Sequence, residues 1–233
     1  MIAAKEIVHN LSHLFFPHTC AGCGTDILNA GQLLCLHCSN DLPFTHFDLY
    51  KNNPVEKIFF GRCNITNAMS LLYFTKDSAL QNLLHQLKYK NKKEIGFYFG
   101  RMMGNALEHA QRFNAIDALI SVPLFTAREK RRGYNQATVL CEGIAEILKM
   151  PVLKNALVRT NATETQTHKS RIERWQNMEG RFELKSAELL KDKHVLLVDD
   201  VITTGATLEA CAQEILSVEG AKVSIATLAY TSD

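Results

Sequence analysis

From residue 68 onward, apolar runs alternate with segments of helical spacing. "AMSLLYF" (68–74) reads as a strand, and "DSALQNLLHQLKYKNKKEIGFYFGRMMGNALEHAQRF" reads as helix with a break near Asn91. "ALISVPL" (118–124) predicts a second strand, and Tyr134–Met150 predicts a helix through Leu140, Ile144, Ile147 and Leu148. A short strand is expected around Val152–Val158, followed by a polar stretch. "HVLLVDDVITTGATLEA" (194–210) opens as a continuous apolar strand and turns into a helix from Gly205, and "KVSIATLAY" supplies a last strand. Strands that are apolar throughout are buried on both faces. Their alternation with helices predicts an α/β fold, a parallel sheet with helices on both faces.

The first 67 residues follow another logic. Ile7, Leu11, Leu14 and Phe15 predict a short amphipathic helix within 1–17 that packs on the protein. Residues 18–45 hold Cys20, Cys23, Cys35 and Cys38 as two Cys-x-x-Cys pairs, with Gly22, Gly24 and Gly31 beside them. That spacing predicts two knuckles around one structural zinc. A redox Cys-x-x-Cys would open a helix after a strand, and neither pair sits there. His18 and His37 lie beside a complete four-thiol set and are read as bystanders. Residues 46–67, with Pro54 and "KNNP", read as a linker or hood leading into a main domain at 68–233.

Charge alters the picture little. The 26 Lys and Arg against 24 Asp and Glu give a net +2, so any polyanion site must come from local clustering. No apolar run approaches the roughly eighteen residues of a membrane span. The N-terminus lacks the long apolar centre of a signal peptide, so a cytoplasmic location is expected.

The strand ending in Asp199 and Asp200 carries the chemistry. In a parallel sheet, ligands collect at the carboxyl ends of strands. Thr203, Thr204, Gly205, Ala206 and Thr207 then offer hydroxyls and backbone N–H groups at a helix N-terminus, which favours an anion. A phosphate suits the turn and a polyol suits the carboxylates, which together describe a ribose 5-phosphate. A mere helix cap would account for one threonine, not for two acids and three threonines around one glycine. The chain has no Gly-Lys dipeptide and no G-x-G-x-x-G, which excludes a P-loop and a dinucleotide fingerprint.

"VLLVDDVITTGAT" resembles the phosphoribosyl pyrophosphate (PRPP) signature of type I phosphoribosyltransferases. "SVPLFTAREKRRGYNQA", "LKYKNKKEIG" and "RTNATETQTHKSRIERWQNMEGRF" resemble blocks of the ComF family of competence proteins, which join a four-cysteine knuckle to a phosphoribosyltransferase-like domain. The resemblance implies that Asp199 and Asp200 hold the ribose hydroxyls, directly or through hydrated magnesium, and that Thr203–Thr207 wrap the 5-phosphate. It implies a pyrophosphate loop with Arg128, Lys130, Arg131 and Arg132, and a flap carrying Gln166, Arg171, Arg174 and Asn177. Members of that family often carry a histidine where this chain has Phe125.

Two functions follow from the resemblance. One is a PRPP-binding protein, with magnesium bound alongside PRPP, that handles single-stranded DNA in natural transformation together with other competence proteins. The other is an active magnesium-dependent phosphoribosyltransferase acting on a nucleobase or amine. Basic groups at Lys88–Lys93, Arg128–Arg132 and Lys169–Arg181 could form a DNA groove, with Tyr89, Tyr134 or Trp175 for stacking, or simply solvated faces. Trp175 reads better as core.

Overall fold

A computed structural model describes residues 18–26, 31–160 and 181–231. At its centre lies a parallel four-stranded sheet in the order β1 (Ala68–Tyr73), β6 (Lys222–Tyr230), β5 (His194–Ile202), β2 (Ala118–Ser121). Residues Val195–Val198 of β5 and Val223–Ala229 of β6 are buried throughout, so both faces of the sheet are covered. The expected α/β architecture is present.

Between β1 and β2 run α3 (Ala79–Tyr89) and α4 (Lys93–His109). They part where expected, at Asn91, whose φ of 54° is left-handed. The Ser78 side chain caps α3 by accepting the Gln81 N–H at 3.2 Å. α4 packs on β6 and on α6 (Gln136–Leu148), which in turn lies against β5 and β2, while α7 (Ala206–Leu216) packs on β5 and β6.

The α4–α6 crossing brings backbone against backbone. A Cβ added at Gly100 would stand 2.4 Å from the Leu140 carbonyl oxygen and 2.9 Å from Gly143 Cα. One added at Gly143 would stand 2.5 Å from the Phe97 oxygen. Gly96 and Gly104, one helical turn on either side, meet Val139 and Ile147 closely.

The segment ahead of β1 is firmly built. Residues 43–45 run antiparallel along β1, with Tyr73 N–H bonded to the Pro43 oxygen at 2.8 Å and Thr45 N–H to the Leu71 oxygen at 3.0 Å. The buried Asn53 caps α2 (Pro54–Ile58) through its Oδ1 and donates from Nδ2 to the Phe47, Tyr50 and Ala68 carbonyls. Glu56 accepts the N–H of Ala68 at 3.1 Å and pairs with Arg112, which also reaches Asn67 Oδ1 at 3.0 Å and the Phe47 and Tyr50 carbonyls. Asn67 returns a bond to the Arg112 oxygen at 2.7 Å. Residues 47–67 are thus tied to the sheet and to the turn before β2.

Two local expectations are corrected. The stretch after β2, read as a loop, holds a helix, α5 (Thr126–Arg132), closed by Gly133 at φ 79°. No residue of α5 is buried, so it has no apolar periodicity to reveal it. The strand expected over Val152–Val158 does not form as one unit. Val152 makes an isolated parallel bridge to Leu119, while β3 (Leu157–Thr160) pairs antiparallel with β4 (Arg181–Leu184) in a separate two-stranded ladder. The 1–17 helix lies outside the described residues.

Candidate functional site

β5 is buried up to Val198, where β2 ends in register at Ser121. Beyond that point β5 keeps only β6 beside it, with Asp199 opposite Thr227. Asp199 and Asp200 therefore stand half-buried at the carboxyl end of a central strand whose neighbour has turned away. Burial and then the Asp200 charge push the Asp199 carboxyl up to about 8, against the pull of the Asp200 N–H, Lys88 and Arg159. That N–H donates to Asp199 Oδ1 at 2.8 Å. Lys88, from the last turn of α3, places its ammonium 2.8 Å from Asp200 Oδ2.

The polypeptide then bends through Thr203, Thr204 and Gly205 into α7. Thr203, Thr204 and Ala206 are exposed, and Thr207 is half-buried. A hollow of about 60 Å³ is lined by Asp199, Val201, Ile202 and the whole run Thr203–Leu208. Gly205 is required twice over. Its φ is 73°, and a Cβ there would lie 2.6 Å from Ile58 and 3.3 Å from the Phe59 ring. Arg62 donates to the Thr204 oxygen at 2.9 Å and pairs with Glu209 in the first turn of α7. The hood thus ties down a carbonyl of the turn and neutralises the Glu209 carboxylate at the helix N-terminus, which would oppose an anion there.

Arg128, Lys130 and Arg131 of α5 are exposed to solvent. Arg132 is half-buried, donates to Gln136 Oε1 at 2.7 Å and lies over the Tyr89 ring at 5.4 Å. Because Tyr89 adjoins Lys88, the basic helix and the acid pair meet at the end of α3. Phe125 receives the guanidinium groups of Arg159 at 3.8 Å and Arg128 at 5.6 Å, so an aromatic face stands at the start of α5. Arg171 and Arg174, with Gln166, Trp175 and Asn177, lie outside the described residues. Lys88 and Arg159 are the site residues that sequence reading missed. Lys88 was legible only as one of a basic cluster, and nothing in the local pattern marked Arg159.

The four cysteines converge. All four sulfurs lie within 4.8 Å of one another, and Cys23 and Cys35 sulfurs are 3.7 Å apart. Four ligands at about 2.3 Å around a tetrahedral ion stand about 3.8 Å apart, so the donor set fits zinc. Backbone N–H groups face the sulfurs, Cys35 N to Cys20 Sγ at 3.2 Å and Cys38 N to Cys35 Sγ at 3.4 Å. The Thr25 hydroxyl and N–H draw the Cys23 thiol down to about 6, whereas burial drives that of Cys38 up. The two nearby histidines are engaged elsewhere, His18 with the Gln32 oxygen at 2.7 Å and His37 with Asp41 at 2.9 Å.

Residues 110–233 match the family described as "Phosphoribosyl transferase domain". The chain is similar to the DNA utilization protein YhgH of Shigella flexneri, with 36% identity over 155 residues, spanning 65% of this chain and 67% of that protein. It is similar to competence protein ComFC of Bacillus subtilis, with 38% identity over 156 residues, spanning 66% of this chain and 61% of that protein. A purine phosphoribosyltransferase of Pyrococcus horikoshii superposes over 57% of this chain and 74% of its own with 20% identity and a TM-score of 0.37, a likeness that adds no weight.

Proposed function

We propose a function from one premise: the chain belongs to the phosphoribosyl transferase domain family, and its relatives include competence and DNA utilization proteins. The protein binds PRPP or ribose 5-phosphate at the end of β5. The observation that carries this reading is the single hollow lined by Asp199 and by every residue of the turn Thr203–Thr207. The 5-phosphate takes the N–H groups and hydroxyls of the turn, and the ribose hydroxyls donate to the carboxylates. The cationic groups of α5 face the pyrophosphate, and Arg171 and Arg174 are further candidate cations for it. Magnesium arrives with PRPP, and zinc holds the knuckle. Were the C1–oxygen bond to break, negative charge would grow on the departing pyrophosphate, where Arg128, Lys130, Arg131 and Arg132 offer cations.

Calorimetry with PRPP and magnesium tests the site. Asp199→Asn with Asp200→Asn is expected to weaken binding on the order of 100-fold, as lost charge-assisted hydrogen bonds would. Equal affinity in both proteins would refute the placement. Screening nucleobases and amines for pyrophosphate release separates a binding protein from an active transferase.

The exposed cations of α5 and the exposed Tyr89 ring support binding of single-stranded DNA beside the same site. Affinity for an oligonucleotide is expected to fall steeply with salt, and Arg131→Ala with Arg132→Ala should flatten that slope by about two charges. PRPP should compete with the oligonucleotide, because both anions use α5. Fluorescence anisotropy across a salt series measures both effects, and a salt-independent affinity would refute the DNA reading.

A further inference from the structure

Lys88 is fixed far more tightly than a surface lysine. Just before it in α3, Gln86 Nε2 donates to the Ala21 oxygen of the knuckle at 2.8 Å. The Leu87 carbonyl accepts the Tyr134 hydroxyl, and the Tyr89 ring contacts the His85 ring at 4.9 Å and the Arg132 guanidinium at 5.4 Å. With both neighbours pinned, the Lys88 ammonium is delivered to Asp200 Oδ2 at 2.8 Å, with 24% of the Lys88 side chain and 15% of the Asp200 side chain exposed.

This pairing conflicts with the metal chemistry that two adjacent aspartates suggest. Magnesium needs a near-octahedral oxygen shell at about 2.0–2.1 Å. Of the four carboxylate oxygens of the pair, Asp199 Oδ1 already accepts the Asp200 N–H and Asp200 Oδ2 already holds an ammonium. A divalent ion on that Asp200 oxygen would sit beside the Lys88 charge and be repelled by it. The Lys88 charge thus disfavours a bare divalent ion at this pair. A hydroxyl group, by contrast, can donate to the remaining lone pairs without disturbing Lys88.

We infer that Lys88 is a specificity-determining residue that bars free divalent cations from Asp199 and Asp200 and keeps them as acceptors for sugar hydroxyls. The inference rests on reading this pair as the sugar site.

Manganese alone, titrated into the full zinc-loaded chain and followed by electron paramagnetic resonance, provides the test. Wild-type protein should show no site at the acid pair. Lys88→Met should gain one at least about tenfold tighter, the fold-change expected from removing a neighbouring positive charge. That site should vanish in Lys88→Met with Asp200→Asn, and Lys88→Arg should behave as wild type. Lys88→Gln, checked for unchanged thermal unfolding, replaces Lys88→Met if the latter fails to fold. Wild type and the neutral variants behaving alike, whether all bind manganese or none does, would overturn the inference. PRPP is absent from this experiment, so failure of PRPP to bind in calorimetry is a separate result.

Discussion

Replacing Cys38 by serine is expected to abolish the knuckle. Cys38 is buried, and Gly22 leaves only 3.0 Å between its own missing Cβ and that sulfur. Among the described residues of 18–45, Leu34 and Leu42 are the buried apolar side chains besides cysteine, so a bound metal would stand in for a core. A structural zinc contributes on the order of 10 kcal/mol or more to folding a module of this kind. Elemental analysis should find one zinc per wild-type chain and none in the variant, and limited proteolysis should then cut within 18–45. Because four thiols must lose protons to bind the ion, acid should release the metal, and the buried Cys38 opposes ionisation most. Loss should also reach the Asp199–Asp200 pair, since Gln86 would lose its carbonyl partner in the knuckle and Lys88 its restraint. An unproteolysed 18–45 segment in metal-free protein would contradict this account.

Arg112→Ala is expected to be the most damaging substitution outside the knuckle. The Arg112–Glu56 pair is about nine-tenths buried on both sides, and Arg112 bonds to three different stretches of the hood. Removing one partner of such a pair typically costs about 3–5 kcal/mol, because the other charge stays buried without compensation. The gain from the intact pair is smaller, as Arg112 Nε is itself buried without a partner. Urea unfolding should show a lower midpoint at unchanged slope. PRPP affinity should fall as well, because α2 and Phe59 buttress Gly205. A shift below about 1 kcal/mol, the scale of an exposed pair, would show that this network does not anchor the hood.

The parts of this protein that sequence made legible are those in which one signal does one job. An unbroken apolar run with β-branched residues, ending in Asp199 and Asp200 and followed by a Thr-Gly turn, reads as a buried strand reaching solvent, and paired Cys-x-x-Cys spacing leaves few alternatives to a metal knuckle. What stayed hidden depends on partners distant in the chain. Arg62 meets Thr204 across 142 residues and Arg112 meets Glu56 across 56, and neither leaves a local trace. α5 escaped because a helix without a buried face has no periodicity. The 152–158 segment misled because its apolar residues are shared between a bridge to β2 and a separate ladder.

The backbone contact between α4 and α6 also bears on how this protein can move. Shear between packed helices needs a layer of side chains that can exchange rotamers as the axes slide. At Gly100 and Gly143 no such layer exists, so the two helices and the strands beneath them form one rigid block. The start of α6, where Asn135 bonds to the Val122 carbonyl at 2.9 Å, belongs to that block. Any opening and closing around a ligand would then fall to the elements outside it, α5 and the β3–β4 ladder. Relaxation-dispersion measurements should find millisecond exchange there, with α4 and α6 silent.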